Sequence, residues 1–361
     1  MTRRSREIPG SGNGWSVAVL GATGAVGQMF VRLLQGHPWF RLAEVAASER
    51  SAGKSYREAT HWLEGTLPHE VAAFQVSQCH PSVVKSRVIF SALDSSVAGP
   101  VEEAFAAAGA MVFSNARNHR MDEDVPLVIP EVNPSHRELL VRQRARRGWS
   151  GAIMANANCA AIGAAIPLAA LHEAFGVNKV FAVTMQAISG AGYPGVAALD
   201  ILGNVVPFIG GEEDKIEQEL QKMLGRFNGE HIEPAGFVVS AAANRVAVEN
   251  GHTICLSVAL DRRASADDCT KVFEQWRGEP AARSLPSSPE RPLILDSNPD
   301  RPQPRRDLGA GNGMSVTIGR VRPDPIFDVK FVSLSHNTIR GAAGASLLNA
   351  ELLAASGALP A

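Results

Sequence analysis

The 361-residue sequence has little cysteine, little excess charge and no long apolar run. Its four cysteines are far apart and form no C-x-x-C pair, so their spacing predicts neither a zinc site nor a disulfide framework. A reduced, cytoplasmic setting fits this pattern. The formal net charge of -1 gives no reason to expect nucleic acid or an anionic membrane as a partner. The ten histidines show no metal-ligand spacing, so no metal site is predicted.

Targeting and membrane signals are also missing from the pattern. The basic start, MTRRSREIPGSGNG, is not followed by an apolar region, and we expect a disordered leader at 1–14. The longest apolar stretch, CAAIGAAIPLAALHEAFGV, is rich in alanine and contains Pro167, His172 and Glu173. It is too short and too polar to span a bilayer, so no membrane partner is expected.

Length and composition instead indicate a globular protein of two domains, because 361 residues exceed what one core normally uses. Between 16 and 115, short apolar segments alternate with helical patterns, which predicts an α/β, Rossmann-type, doubly wound parallel sheet. Beyond about residue 160, a long helix and strands such as HTICLSVAL and MSVTIGRVR predict an α+β domain with a mostly antiparallel sheet. The Pro- and Ser-rich stretch 286–307 is predicted to be a loop.

The segment GATGAVG lies between a predicted strand, 16–20, and a helix with one apolar side. Glycines there permit a tight turn and a close approach by a pyrophosphate, which the N–H groups of the helix N-terminus then bind. The spacing is G-x-x-G-x-x-G instead of the commoner G-x-G-x-x-G, and a purely structural turn is the alternative. The predicted dinucleotide-binding residues are Gly21, Thr23, Gly24, Ala25, Val26 and Gly27.

The end of the second predicted strand bears on which dinucleotide binds. An NAD site usually carries an acidic residue there for the ribose 2′-OH. In AASERSAGK, Glu49 is available, but Ser48, Arg50 and Ser51 surround it and suit a 2′-phosphate. This favours NADP over NAD, with a solvated polar loop as the alternative.

Cys159, in ANANCAAIGAA, is the candidate nucleophile. We expect it at a helix start, where the helix dipole lowers the pKa of a thiol. The alternative is a small buried thiol, as expected for Cys255. Arg245 and His252 flank the segment VAVENG. If they flank a hairpin, an imidazole for acid–base steps and a guanidinium for a carboxylate both reach one pocket.

Taken together, these segments resemble the aspartate-semialdehyde dehydrogenase family, in particular its archaeal and fungal-like branch. The resemblance runs from Trp15 to about Leu353. It is carried by GATGAVGQ, ASERSAGKSY, FSNARNHRMDEDVPLVIPEVN, NANC, QAISGAGYPG, IGGEEDKIEQE, NRVAVENGHT and HNTIRGAAGASLLNAELL, among others.

The resemblance implies a reaction: NADPH-dependent reductive dephosphorylation of L-aspartyl 4-phosphate to the semialdehyde, through a thioester on Cys159. The pathway it implies is the biosynthesis of lysine, methionine and threonine. His252 then matches the acid–base residue, and Gln186 matches the glutamine that orients the intermediate. The implied substrate-binding residues are Arg245 for the α-carboxylate, Glu212 or its neighbour Glu213 for the amino group, Lys215 and Arg120 for the phosphate, and Asn158 beside the nucleophile. The resemblance adds Ser91, Asn337 and Gly341 to the cofactor-binding residues.

The same resemblance implies an NADP-binding domain at 15–158 and 338–361, a catalytic and dimerisation domain at 159–337, and a homodimer or homotetramer.

One departure stands out: Ala157, Ala160 and Ala161 occupy positions where the family usually carries proline and Ser or Thr. Two alternatives therefore stay open. One is a related reductase of another activated acyl group, such as N-acetylglutamyl phosphate or malonyl-CoA, and the other is a non-catalytic NADP-binding paralogue.

Overall fold

Two large β-sheets and a small two-stranded sheet organise residues 14–360, the part of the chain that the computed structural model describes. Apart from Gly14, the expected leader at 1–14 lies outside these residues. The strands are β1 (Trp15–Leu20), β2 (Phe40–Ala47), β3 (Val76–Gln78), β4 (Val88–Ser91), β5 (Met111–Ser114), β6 (Ala152–Ala155), β7 (Val177–Gln186), β8 (Val205–Val206), β9 (Arg226–Phe227), β10 (Ile232–Glu233), β11 (Val238–Val246), β12 (His252–Leu260), β13 (Leu293–Asp296), β14 (Val316–Pro323) and β15 (Val329–Ser335). The α-helices are α1 (Ala25–Leu33), α2 (Tyr56–Ala59), α3 (His69–Ala72), α4 (Ser95–Ala107), α5 (Leu139–Arg147), α6 (Cys159–Phe175), α7 (Ala198–Ile201), α8 (Glu212–Met223), α9 (Ala266–Gln275), α10 (Pro280–Arg283), α11 (Pro304–Asp307) and α12 (Gly344–Ala355).

The first sheet has six strands in the order β3-β2-β1-β4-β5-β6, and all its neighbouring pairs are parallel. Strand β1 is apolar on both faces because Val17 and Val19 enter one core while Ala18 and Leu20 enter another. The strand order reverses between β1 and β4, so the carboxyl ends of these two strands open a crevice. The predicted Rossmann-type sheet is confirmed.

The second sheet has seven strands in the order β13-β14-β15-β12-β7-β11-β8. Its neighbours are antiparallel except for two parallel pairs, β13 with β14 and β7 with β11. Helices α6, α8 and α9 pack against it. The predicted α+β domain with a mostly antiparallel sheet is therefore confirmed as well.

Two local expectations need correction. Strands β11 and β12 do not form a hairpin, because β7 lies between them and pairs with both. The stretch 286–307 is not entirely a loop, since it contains strand β13 and the single turn α11. The C-terminal helix α12 is preceded by a π-helical turn, Ile339–Ala343.

That π-helical turn brings the C-terminal segment back to the first sheet. It packs on α1 and α6, and α12 packs on β5. Arg340 anchors it through two hydrogen bonds to the Glu131 carboxylate, at 2.7 and 2.9 Å, in a fully buried ion pair. Between residues 14 and 360, no helix combines the length and the apolar character needed to cross a membrane.

Candidate active site

A cleft of about 740 Å³ lies between the two sheets and receives side chains from both. It gathers most of the residues predicted from the sequence. Those lining it are Gly21, Thr23, Gly24, Ala25, Val26, Ser48, Arg120, Asn158, Cys159, Gln186, Glu212, Lys215, Arg245, Asn337 and Gly341.

Cys159 is the first residue of α6, directly after the loop that leaves β6. The preceding Asn158 is the helix N-cap, and its Oδ1 accepts the N–H groups of Ala160 and Ala161 at 2.9 and 3.0 Å. The cap fixes the first turn of α6 and holds the partly exposed thiol at the floor of the cleft.

His252 is the partner of the thiol. Its Nε2 lies 3.1 Å from Cys159 Sγ, and its Nδ1 accepts the Ala187 N–H at 3.1 Å, which fixes the ring orientation. Burial lowers the pKa of His252 to about 3, so the imidazole is neutral at physiological pH. Because Nδ1 accepts a hydrogen bond, the neutral ring carries its proton on Nε2, which is placed to donate to the sulfur.

The thiol itself is less acidic than expected from its place at a helix start. Burial, and next the carboxylate of Glu212, raise the pKa of Cys159 to about 12. The cations Arg120 and Lys215 act in the opposite direction but do not outweigh burial. The expectation of a lowered pKa is thus wrong, because desolvation exceeds the helix-terminus effect.

Gln186 and Arg245 lie side by side on the parallel strands β7 and β11. Arg245 Nη1 donates to the Ala187 carbonyl at 2.7 Å, on the residue whose N–H orients His252. Arg245 and His252 therefore converge through β7 and not through a hairpin. Gly190 lies against both, since a Cβ there would be 2.9 Å from Arg245 Nη1 and 3.1 Å from His252 Cε1.

Helix α8 supplies Glu212 and Lys215, whose side chains form an ion pair at 2.6 Å. The Glu212 carboxylate also accepts a hydrogen bond from the Asn158 side chain. Burial opposes its ionisation, but Lys215 and these hydrogen bonds together hold the pKa of Glu212 below its usual value. Glu213 turns away and accepts the Ala243 N–H at 2.9 Å, so Glu212 is the glutamate that lines the cleft.

Arg120 reaches the cleft from the loop after β5. Its Nη2 donates to the Asn115 carbonyl at 2.8 Å, and its Nη1 donates to Glu219 at 3.0 Å. Sequence reasoning missed Glu219, and it also missed Lys222, which is buried one turn further along α8. The sequence does contain a signal for the burial of these two residues. Glu219 and Lys222 continue the helical spacing of Glu212 and Lys215, on the same face of α8 as the buried apolar residues.

The glycine-rich turn has the features of a dinucleotide-binding turn. Gly21 has φ +70°, and a Cβ there would lie 2.5 Å from the Ala92 carbonyl oxygen. Gly24 is the N-cap of α1 and provides no side-chain cap, so the helix start faces the cleft with backbone N–H groups. A pyrophosphate fits such a cradle. Gly27 has a packing role, because a Cβ would be 2.2 Å from the Gly21 oxygen.

The predicted 2′-phosphate residues and Ser91 differ in their relation to the cleft: only Ser48 lines it. Arg50 is exposed and Ser51 partly exposed in the turn just after Ser48. Ser91 is fully buried at the end of β4. Within residues 14–360, no group of three His, Cys, Asp or Glu side chains is arranged to hold a metal ion.

A parallel nucleotide-type sheet, joined through a cleft to a domain bearing a Cys–His pair, is typical of nucleotide-dependent oxidoreductases that use a cysteine nucleophile. Two family models match the chain. One is the NAD binding domain of semialdehyde dehydrogenase, over 16–139, and the other is the semialdehyde dehydrogenase dimerisation domain, over 168–340.

Relatives of known name cover nearly the whole chain. Aspartate-semialdehyde dehydrogenase from Archaeoglobus fulgidus is 49% identical over 94% of this chain and 98% of the relative. The enzyme from Schizosaccharomyces pombe is 46% identical with the same coverage. The crystal structure of Candida albicans aspartate-semialdehyde dehydrogenase with NADP superposes with a TM-score of 0.88 at 42% identity, covering 96% of this chain and 100% of that chain. The chain therefore belongs to the aspartate-semialdehyde dehydrogenase family.

Proposed function

We propose that this protein is an NADP-dependent aspartate-semialdehyde dehydrogenase that reduces L-aspartyl 4-phosphate to L-aspartate 4-semialdehyde and releases phosphate. The observation that carries the proposal is the Cys159–His252 pair. Cys159 lines a cleft with both positive and negative side chains, and the fully buried His252 imidazole lies 3.1 Å from its sulfur. The amino-acid pathway follows from that reaction: it is the biosynthesis of lysine, methionine and threonine.

The charges around the pair match the charges of an aspartyl phosphate. Arg245 suits the α-carboxylate, because a guanidinium binds a carboxylate in a bidentate fashion. Glu212 suits the α-ammonium group. Arg120 and Lys215 suit the phosphate dianion, with Asn158 beside the nucleophile. An N-acylated substrate has no ammonium group for Glu212, so the arrangement favours aspartyl phosphate over N-acetylglutamyl phosphate.

The reaction would start with attack of Cys159 Sγ on the acyl carbon, which breaks the bond to the phosphate oxygen and leaves a thioester. Hydride addition to the thioester carbon gives a thiohemiacetal, and breakage of its C–S bond releases the aldehyde and frees the sulfur. His252 Nε2 would exchange protons with the sulfur and the intermediate's oxygen. Gln186, almost fully buried beside them, would orient the intermediate.

NADPH supplies the hydride when it is bound. We propose that the turn containing Gly21, Thr23, Gly24, Ala25, Val26 and Gly27 holds its pyrophosphate, as the geometry of Gly21 and the uncapped start of α1 allow. Ser48, Arg50 and Ser51 would receive the 2′-phosphate, and Ser91, Asn337 and Gly341 would complete the site. The similar Candida albicans structure is one with NADP, which supports this choice.

The alanines around the nucleophile do not argue against turnover. Ala157, Ala160 and Ala161 are fully buried. Asn158 Oδ1 accepts the N–H groups of Ala160 and Ala161, so the start of α6 needs no hydroxyl group as an acceptor. The nucleophile is therefore capped without a neighbouring Ser or Thr.

We further infer a division into an NADP-binding domain, 15–158 and 338–361, and a catalytic and dimerisation domain, 159–337. Large apolar side chains exposed on the second domain support a homodimer, with a homotetramer as the larger alternative; they include Phe181, Leu199, Leu202, Phe208 and Val238. Four free cysteines fit a reduced cytoplasm, and we propose no nucleic acid or membrane as partner.

The test is the steady-state reduction of NADP and, separately, NAD by L-aspartate 4-semialdehyde with and without phosphate. We expect phosphate-dependent turnover that prefers NADP and is lost in Cys159→Ala. A folded, NADP-binding protein without such turnover would contradict the proposal. N-acetylglutamyl phosphate and acyl-CoA thioesters would then be assayed.

A further inference from the structure

Helix α8 carries a line of four charged residues, Glu212, Lys215, Glu219 and Lys222, spaced at three, four and three residues. Three of them, Glu212, Glu219 and Lys222, are buried. Helical periodicity places all four on one side of α8, facing the cleft and the first domain. The first two are accounted for by the proposed substrate site, and Glu219 is not.

Glu219 joins two parts of the site that come from different segments of the chain. Its Oε1 accepts from Arg120 Nη1 at 3.0 Å, and its Oε2 accepts the backbone N–H of Asn158 at 2.5 Å. Asn158 is the cap of α6 and the residue immediately before Cys159. Glu219 is 1% exposed, so neither oxygen has solvent as a substitute partner.

We propose that Glu219 is a positioning residue that holds the phosphate-binding guanidinium of Arg120 in register with the nucleophile. This role rests on the proposed function, because that function assigns the phosphate to Arg120. One carboxylate fixes both the direction of the guanidinium and the start of the Cys159 helix. The leaving phosphate is therefore bound at a set distance from the attacking sulfur, as near-attack geometry requires.

The charge of Glu219 and its orienting contacts predict opposite effects on phosphate binding when the carboxylate is removed. The carboxylate offsets part of the positive charge of Arg120, so the loss of its charge alone would tighten phosphate binding. Loss of orientation has the reverse effect. A glutamine at 219 presents one acceptor and one N–H donor to two groups that both need an acceptor, so one of them is left without a partner. Because the site is buried, we expect orientation to dominate.

The experiment measures how inorganic phosphate protects Cys159 from alkylation by iodoacetamide, with the modified peptides quantified by mass spectrometry. Protection requires no turnover, so it is separate from the assay of the proposed function. Glutathione added to the same reaction serves as the internal reference for reagent reactivity. Cys255 is exposed and not buried as expected, but it lies on the same sheet face as Phe181, in the proposed dimer surface, and is not used as the reference. In Glu219→Gln, we expect the half-protecting phosphate concentration to rise by roughly tenfold or more.

Glu217→Gln is the matched control. Glu217 lies on the same helix and its carboxylate also accepts a backbone N–H, that of Ala241 at 2.9 Å, but in strand β11. We expect its half-protecting concentration to stay within about twofold of wild type. In an Arg120→Lys background, Glu219→Gln should raise the half-protecting concentration less than it does in the wild type. The contribution through the guanidinium is then gone, and only the contact with the Asn158 N–H remains to be lost. Glu219→Asp, which keeps the charge, is the second variant if Glu219→Gln does not fold.

A half-protecting concentration that falls or stays unchanged in Glu219→Gln would overturn the proposal, and so would additive effects with Arg120→Lys. Absence of phosphate protection in the wild type would overturn it too. Phosphate protection without turnover of the semialdehyde would instead remove the proposed function while leaving a positioned anion site.

Discussion

At the nucleophile, burial and the nearby Glu212 carboxylate raise the pKa of the Cys159 thiol to about 12, while Arg120 and Lys215 lower it. Glu212→Gln removes one of the two effects that raise the pKa of Cys159 and leaves the other, burial. We expect the variant to have a lower Cys159 pKa and hence more thiolate at about pH 8, with alkylation faster by about three- to tenfold, which corresponds to a shift of half to one pKa unit. Turnover should fall in the same variant, because the proposed partner of the substrate's ammonium group is lost.

The rate of iodoacetamide modification of Cys159 between about pH 7 and 10 measures this shift. Glu213→Gln is the matched neighbour, since its carboxylate accepts the Ala243 N–H and faces β11. An unchanged alkylation profile in Glu212→Gln would show that Glu212 does not control the thiol.

Gly341 packs directly against Cys159, so a larger residue there tests how closely the position of the thiol is fixed. A Cβ on this residue would lie 2.5 Å from Cys159 Cβ and 2.9 Å from its Cα, and both atoms belong to a fixed helix start. Gly341→Ala should therefore displace the nucleophile and lower kcat by roughly 100-fold, with a stability cost of about 1–3 kcal/mol. Gly309→Ala, where no atom lies within 4 Å of the added Cβ, is the control. Normal turnover of Gly341→Ala would mean that α6 shifts without consequence.

At the scale of elements, α8 is joined to the first domain by Lys222. Its ammonium donates to the carbonyls of Arg120, Asp122 and Val125 at 2.7, 2.7 and 2.9 Å, so one side chain shapes the loop that carries Arg120. Lys222→Met leaves these acceptors without their donor. We expect a loss of about 2–3 kcal/mol in the free energy of unfolding.

Hydrogen exchange should also become faster around residues 120–125 in Lys222→Met, because the loop loses its clamp. Lys271→Met is the control, since Lys271 is exposed and pairs only loosely with Asp268 at 3.8 Å. Unchanged exchange in this loop would show that other contacts hold it.

The elements differ in how readable they were from the sequence. Strand β1 and helix α6 are long, apolar and bounded by clear turn or cap residues, and local pattern is sufficient for them. Strand β13 is four residues long within a Pro- and Ser-rich stretch, and its pairing with β14 provides the stability that its own sequence does not. The supposed hairpin failed because β7, more than 50 residues earlier in the chain, inserts between β11 and β12.

The residues of the candidate site also differ in how far the sequence predicts them. Cys159, His252 and Arg245 stand in recognisable motifs, and the structure brings them into one cleft. Glu219 and Lys222 were not predicted as site residues, and packing against the loop at 115–125 buries them. Their roles depend on partners about 100 residues away, which periodicity does not reveal.

At the scale of the whole molecule, three histidines at separate positions are held neutral by burial. The pKa of His136 falls to about 4, that of His252 to about 3 and that of His336 to about 4. A histidine whose folded pKa is depressed takes up its proton first in the unfolded chain, whose pKa is near 6.5. The stability of the fold should therefore be complete above about pH 6.5 and fall as the pH drops toward 4.

His136 isolates this effect away from the catalytic cleft. It is 1% exposed, its Nδ1 accepts from Asn133 Nδ2 at 2.9 Å, and its Nε2 donates to the Gly225 carbonyl at 3.0 Å. Protonation would place a donor against the Asn133 amide, so the geometry agrees with the direction of the pKa shift. At about pH 5, one such histidine lowers the free energy of unfolding by about 2 kcal/mol relative to about pH 7.5.

Urea unfolding at fixed protein concentration, from about pH 7.5 to 5, measures this dependence. His136→Gln keeps a donor for Gly225 and removes the titrating group, so its curve should be flatter than that of the wild type by about 2 kcal/mol over this range. The exposed His69→Gln should retain the wild-type slope. Because Glu102 is buried and has a raised pKa, it contributes a slope of opposite sign in every variant, and the comparison between variants cancels it. Equal slopes for His136→Gln and wild type would show that folding does not shift the pKa of His136.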